Sequence, residues 1–102
     1  MAIAAITAAE LLVGVELADP ARRPGRQALV DAVLEGLPVE DYDLEVARAH
    51  ARLLAHARRS GRARGAHDLV VAATGLARAR TVVTADRSGF SGLPGVAVRT
   101  RP

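Results

Sequence analysis

The order of apolar segments predicts an α/β fold with a small parallel sheet. Three observations carry that reading. Short β-type runs stand near the start (Ala2 to Ile6) and near the end (Thr81 to Thr84, then Val96 to Val98). Four segments with helical spacing lie between them. The late strands are separated by a loop carrying Gly89, Gly92, Pro94 and Gly95. Strands divided by helices pair in parallel, because each crossover returns the chain to the same end of the sheet. At 102 residues the chain is expected to form one small domain.

Each element has a local signature. Ile3 and Ile6 give the first strand its bulk. Thr7 and Glu10, three residues apart, match a capping box, so the first helix is expected from Thr7, with Leu11, Leu12, Val15 and Ala18 as its stripe. Asp19-Pro20 ends it. The basic stretch Ala21 to Gly25 reads as a turn, and Gln27 to Leu34 as a second helix with Ala28, Leu29, Ala32 and Val33 inward. Gly36 stops it, and Leu37-Pro38-Val39 is an extended edge. Asp43 is the expected N-cap of a third helix, Leu44 to Arg59, with Leu44, Ala47, Ala51, Leu54 and Ala57 inward and Ser60-Gly61 closing it. A polar loop, Arg62 to Gly65, leads to a fourth helix, His67 to Arg78. Its small and apolar residues suit a central position.

Composition narrows the chemistry. No cysteine is present, which removes disulfides, thiolate metal sites and thiol nucleophiles. All 14 basic residues are arginine, and the net charge is +3. The absence of lysine fits a GC-rich coding bias, and it also suits bidentate phosphate recognition. The balance permits a nucleic-acid partner without requiring one. The apolar run Ala2 to Val15 is short and contains Glu10, so no signal peptide or membrane anchor is expected and a cytoplasmic protein is.

Three acids stand beside apolar sequence: Glu10 before Leu-Leu-Val, Asp68 before Leu-Val-Val-Ala-Ala, and Asp86 after the Thr81–Thr84 strand. Each has a plain structural explanation: a capping box, a helix cap, a turn acid. They also suit an oxygen-ligand site for Mg²⁺ or Mn²⁺, which would offset their mutual repulsion. Glu10 and Asp86 each follow a strand, so both are expected at one sheet edge, where such folds bind ligands. His50, His56 and His67 lack metal-ligand spacing and read as structural or surface residues.

The segments Ile6 to Val15, Gly65 to Thr74 and Val82 to Phe90 resemble, in order, the acid-bearing segments of PIN-domain ribonucleases of the VapC toxin type. Leu93 to Val98 also matches in kind, so the similarity runs over essentially the whole chain. The resemblance implies a three-layer α/β/α fold. It departs in one respect: the family's first strand, its terminal aspartate and the helix after it have no counterpart before Ile3. Since that strand lies mid-sheet, unpaired edges are expected.

The resemblance further implies a toxin of a type II toxin–antitoxin pair, an endoribonuclease dependent on Mg²⁺ or Mn²⁺. Glu10, Asp68 and Asp86 would be its catalytic and metal-holding residues, and Thr84 would orient a carboxylate or a metal-bound water. Arg62, Arg64 and Arg87 are candidate RNA contacts. A cognate VapB-type antitoxin, an RNA substrate and a second copy of the chain are the implied partners. With the first aspartate absent, weak or no activity is expected of this chain. The alternative is a non-catalytic module that binds antitoxin or RNA.

Overall fold

The computed structural model describes residues 1–101 as two compact units, one over Met1–Asp41 and the other from Tyr42 onward. The first contains strand β1 (Ile3–Ala4), helix α1 (Ala5–Glu16), helix α2 (Arg23–Gly36) and strand β2 (Val39–Glu40). The second contains α3 (Leu44–Ser60), α4 (Ala66–Ala77), β3 (Val82–Thr84), a 3₁₀ turn (Arg87–Gly89) and β4 (Val98–Thr100). The α/β class and the parallel pairing are those expected. No helix among the described residues is long and apolar enough to cross a membrane.

The strands form two sheets of two strands, not one. β1 lies parallel to β2, with Ile3 opposite Val39, and β3 lies parallel to β4, with Val82 opposite Val98. Every strand therefore has one edge without a strand partner among the described residues. Glu10 and Asp86 follow strands of different sheets, so the expectation of one shared sheet edge is not met.

In the first unit β1 ends after Ala4, where its pairing with β2 ends, and α1 starts at once from Ala5. Thr7 and Glu10 consequently lie inside the helix, and no side chain caps its start. The expected capping box is displaced because the extent of tertiary strand pairing, not the local cap signal, sets the boundary. Helix α2 begins at Arg23, four residues before the expected start, with Pro24 in its first turn where a missing N–H costs nothing. Its inward face is also shifted. Val30 is 3% exposed whereas Leu29 is 66% exposed, so the packed stripe runs through Gln27, Val30, Val33, Leu34 and Leu37. This face meets α1.

The second unit holds the larger core. Helix α3 starts where Asp43 caps it, its carboxylate accepting from the Val46 N–H at 3.1 Å. It ends at Gly61 in the left-handed region (φ +69°), as expected. Its buried face is Val46, Ala49, Leu53 and Ala57. The predicted Leu44 is 66% exposed, because the stripe facing α4 starts two residues later. Helix α4 buries Leu69, Ala72, Ala73, Thr74 and Gly75, in keeping with its expected central place. Leu69, Ala72 and Ala73 join Val46, Ala49 and Leu53 of α3 and Val82, Phe90 and Leu93 in one cluster. Leu53 and Val46 are its largest fully buried side chains, each contributing about 1.5–3 kcal/mol of transfer free energy.

The end of α4 fixes β3. The Arg80 N–H donates to the Gly75 carbonyl at 2.8 Å and the Ala79 N–H to Leu76 at 3.4 Å, a Schellman closure. Its left-handed position is occupied by Ala79 (φ +53°). A Cβ on Gly75 would stand 3.1 Å from the Arg80 carbonyl oxygen and 3.2 Å from Val82, so a larger residue there would have to push β3 back by a few tenths of an ångström. The last strand lies two residues beyond the expected Val96–Val98. Gly95 turns at φ +77°, and the Val82 N–H pairs first with the Ala97 carbonyl, which sets that register.

Candidate functional site

Asp68 lies in the first turn of α4, where the helix dipole favours a negative side chain. It is not the cap; Gly65 holds that position without a side-chain bond. The Asp68 side chain is 41% exposed and leans over the 3₁₀ turn. A Cβ on Gly89 would collide with its Oδ2 and lie 3.2 Å from its Cγ. The carboxylate can rest there because residue 89 has no side chain.

Asp86 opens that same turn. Its Oδ1 accepts from the Ser88 N–H at 2.9 Å. The Ser88 hydroxyl, and then the Ser88 backbone N–H, hold the Asp86 carboxyl below its ordinary pKa by bonding to its charged form. The turn-acid reading of Asp86 thus describes its local role. Thr84 supports it differently from the expectation. Its hydroxyl donates to the Asp86 carbonyl at 3.0 Å and accepts from the Asp86 N–H at 3.1 Å. Thr84 orients the Asp86 peptide, not its carboxylate, because Oγ1 is already engaged on both sides.

Asp68 and Asp86 therefore meet at one short turn of the second unit. Glu10 belongs to the first unit, on α1. It is exposed, and among the described residues it makes no hydrogen bond or ion pair. Its capping role is thereby excluded. None of the three acids is buried: Glu10 and Asp86 are exposed and Asp68 is half-buried. The oxygen donors suit a hard divalent ion. Among the described residues, however, no three or more His, Cys, Asp or Glu side chains are grouped to hold one.

The arginines of the loop are engaged with backbone. Arg64 donates to the carbonyls of Gly89 (3.2 Å) and Ser91 (2.7 Å), and Arg62 to those of Ser88 (2.5 Å) and Ser91 (3.4 Å). Burial, reinforced by the like charge of Arg62, lowers the Arg64 pKa from the ordinary arginine value. Arg87 reaches the Thr100 hydroxyl on β4 at 3.4 Å. His67 stands beside Asp68, Nδ1 to Oδ1 3.9 Å, with its Nε2 buried and without a partner. His50 accepts from the Tyr42 hydroxyl in one tautomer (2.8 Å), in keeping with a structural role.

A cavity of about 490 Å³ on the second unit is lined by Arg52, Leu53, His56, Arg59, Leu76 and Pro94, among others. Leu76 is eight residues along α4 from Asp68, about 12 Å at the helical rise, so this cavity is separate from the acids. Sequence reasoning missed Ser88 and Gly89. The Asp-x-Ser-Gly spacing of an Asx-type turn was the available signal.

No protein-family model matches the chain. A chain in the crystal structure of a member of the VapBC family of toxin–antitoxin systems, VapBC-5 from Mycobacterium tuberculosis, is 37% identical. That alignment covers 97% of this chain and 79% of the other, with a TM-score of 0.80. A curated VapC ribonuclease, Y4jK from Sinorhizobium fredii, is 39% identical over 95 residues, which is 86% of this chain. The chain belongs to the VapC family of PIN-domain proteins. It spans 66% of the curated VapC relative, just under two thirds of that protein's length. A chain in the crystal structure of DNA-bound VapBC from Salmonella typhimurium is 29% identical and superposes with a TM-score of 0.91 over 98% of this VapC-family chain and 74% of its own.

Proposed function

We propose that this VapC-family chain is the toxin of a type II toxin–antitoxin pair and a metal-dependent endoribonuclease. Glu10, Asp68 and Asp86 would hold Mg²⁺ or Mn²⁺, a VapB-type antitoxin would be its partner, and the cytoplasm its compartment. A homodimer belongs to the same reading. The carrying observation is the meeting of Asp68 and Asp86 at the Arg87–Gly89 turn, each held by its own local contacts. Family membership, with relatives named as a VapC ribonuclease and as VapBC systems, supports it.

A bound divalent ion would supply a more acidic water and charge stabilisation at the phosphate oxygens. The protein's own part follows from the contacts above. Asp86, held in place by Ser88, offers one carboxylate; Asp68 offers a second over Gly89; Thr84 keeps the Asp86 peptide in place. Glu10, exposed on α1, would be the third donor of this reading.

The test is RNA cleavage with Mn²⁺ by the wild type and by Glu10→Gln, Asp68→Asn and Asp86→Asn. Loss of cleavage in each variant supports the assignment; equal residual cleavage in all four removes it. A second reading, a non-catalytic module that binds antitoxin or RNA, is favoured by the lack of a three-ligand group among the described residues. Under it, Mn²⁺ binds no more tightly to the wild type than to the three variants.

A further inference from the structure

We infer that Arg62 and Arg64 are positioning residues: together they staple the Ser88–Ser91 backbone and so set where the Asp68 and Asp86 carboxylates stand. The inference rests on the metal-site reading above for its purpose, but the staple itself is a matter of geometry.

The two arginines sit in the connection between α3 and α4, more than 20 residues before the loop they hold. Their guanidinium groups make four hydrogen bonds to three consecutive-region carbonyls, those of Ser88, Gly89 and Ser91. Such charge-assisted bonds are stronger than neutral ones, and the planar fork of arginine lets one side chain bridge two acceptors. Neither arginine pairs with a carboxylate among the described residues, so ion pairing is not what places them. Two like charges are held side by side against neutral oxygens. The loop also wraps Arg64: a Cβ on Gly92 would lie 3.5 Å from its Nη2. From the inner side Phe90 and Leu93 anchor the same segment in the core.

Each arginine acts on a different acid. Arg62 holds the carbonyl of Ser88, the residue whose N–H fixes the Asp86 carboxylate. Arg64 holds the carbonyl of Gly89, the residue on which the Asp68 carboxylate rests. A loop released from either guanidinium would let the corresponding carboxylate drift, and metal sites lose affinity when the groups orienting their ligands are removed.

The test uses the full chain with Arg62→Gln, Arg64→Gln and Arg64→Lys. The first readout is amide hydrogen exchange without metal at Ser88, Phe90 and Ser91, whose N–H groups are bonded within the loop. We expect exchange to quicken by roughly 10-fold or more there, at an unchanged rate in α3 and α4. The second readout is the Mn²⁺ affinity from paramagnetic resonance titration, expected to weaken by about 10-fold or more. Arg64→Lys should behave like Arg64→Gln, since an ammonium keeps the charge and loses the fork; full rescue by lysine would mean that charge alone matters and would overturn the inference. Wild-type exchange in the loop overturns it too, as does faster exchange with wild-type Mn²⁺ affinity where Asp68→Asn and Asp86→Asn weaken that affinity. Asp68→Asn and Asp86→Asn, run alongside, separate the two ideas. If both bind Mn²⁺ like the wild type, the metal reading fails, and the exchange data decide the staple by themselves. Should Arg64→Gln lose cooperative unfolding, the exposed Arg62 carries the test.

Discussion

Replacing Gly89 by alanine adds one methyl group at the place where the Asp68 carboxylate rests. The new Cβ would overlap Asp68 Oδ2 and lie 3.2 Å from its Cγ and 3.8 Å from its Cβ. Two atoms cannot share that space, so one side must move. Backbone at residue 89 is held through its carbonyl by Arg64, whereas the Asp68 side chain is 41% exposed and turns about two bonds. The carboxylate should therefore swing toward solvent. An imperfect rotamer costs about 0.5–1.5 kcal/mol. Alanine in place of glycine offsets about 0.4–1 kcal/mol of this by restricting the unfolded chain. The net change in stability is then under about 1 kcal/mol, while a displaced ligand should weaken Mn²⁺ binding by roughly 10-fold, about 1.4 kcal/mol. Urea unfolding and Mn²⁺ titration on the same preparations measure the two quantities. Unchanged Mn²⁺ affinity in a folded variant would show that the seat on Gly89 does not place a ligand. A stability loss above about 3 kcal/mol would show that Asp68 cannot give way.

Three further outcomes are expected. Ala79→Gly should raise stability by about 0.5 kcal/mol, since the left-handed conformation costs alanine about 1 kcal/mol or more and the freer unfolded glycine chain cancels part of it; a lower melting temperature than the wild type would contradict this. Leu53→Ala, at a position 1% exposed in the core of the second unit, should cost about 2–5 kcal/mol in chemical denaturation. For Asp43, the Val46 N–H and then Arg78 hold the carboxyl below its ordinary value of 3.8. The depressed folded pKa means that the carboxylate stabilises the fold above the unfolded value and ceases to do so as pH falls through the folded one. Asp43→Asn keeps a capping oxygen and loses the charge that meets Arg78 at 2.7 Å, so its denaturation midpoint should trail the wild type at pH 7, close on it only as pH falls below 3.8, and meet it below the depressed folded pKa.

Several elements were legible because their causes are local. Asp43 before Leu44 and Gly61 after Ser60 bracket α3 in sequence, and the same residues cap it in space. The run of small residues in α4 signalled its buried place. Parallel pairing followed from strands divided by helices. Asp86 after a strand and before Ser88-Gly89 marks the turn that it opens in space. Which face of α2 and α3 turns inward was not legible. A face is chosen by the neighbouring helix, and an alanine-rich helix offers several stripes of similar hydrophobicity, so Leu29 and Leu44 fit an inward stripe in sequence yet lie outside the interior. The start of α1 followed strand pairing over a nearby Thr-x-x-Glu signal.

What the sequence determined by itself was the α/β class, the caps of α3 and the central helix α4, because propensity and capping act over a few residues. What only the tertiary structure decided was the meeting of Asp68 with Gly89, the grip of Arg62 and Arg64 on the Ser88–Ser91 carbonyls, and the division of the strands into two sheets. Those contacts join residues some 20 or more positions apart, or depend on which backbone carbonyl is left without a ladder partner. No local pattern encodes either, since each is settled by the packing of the elements between.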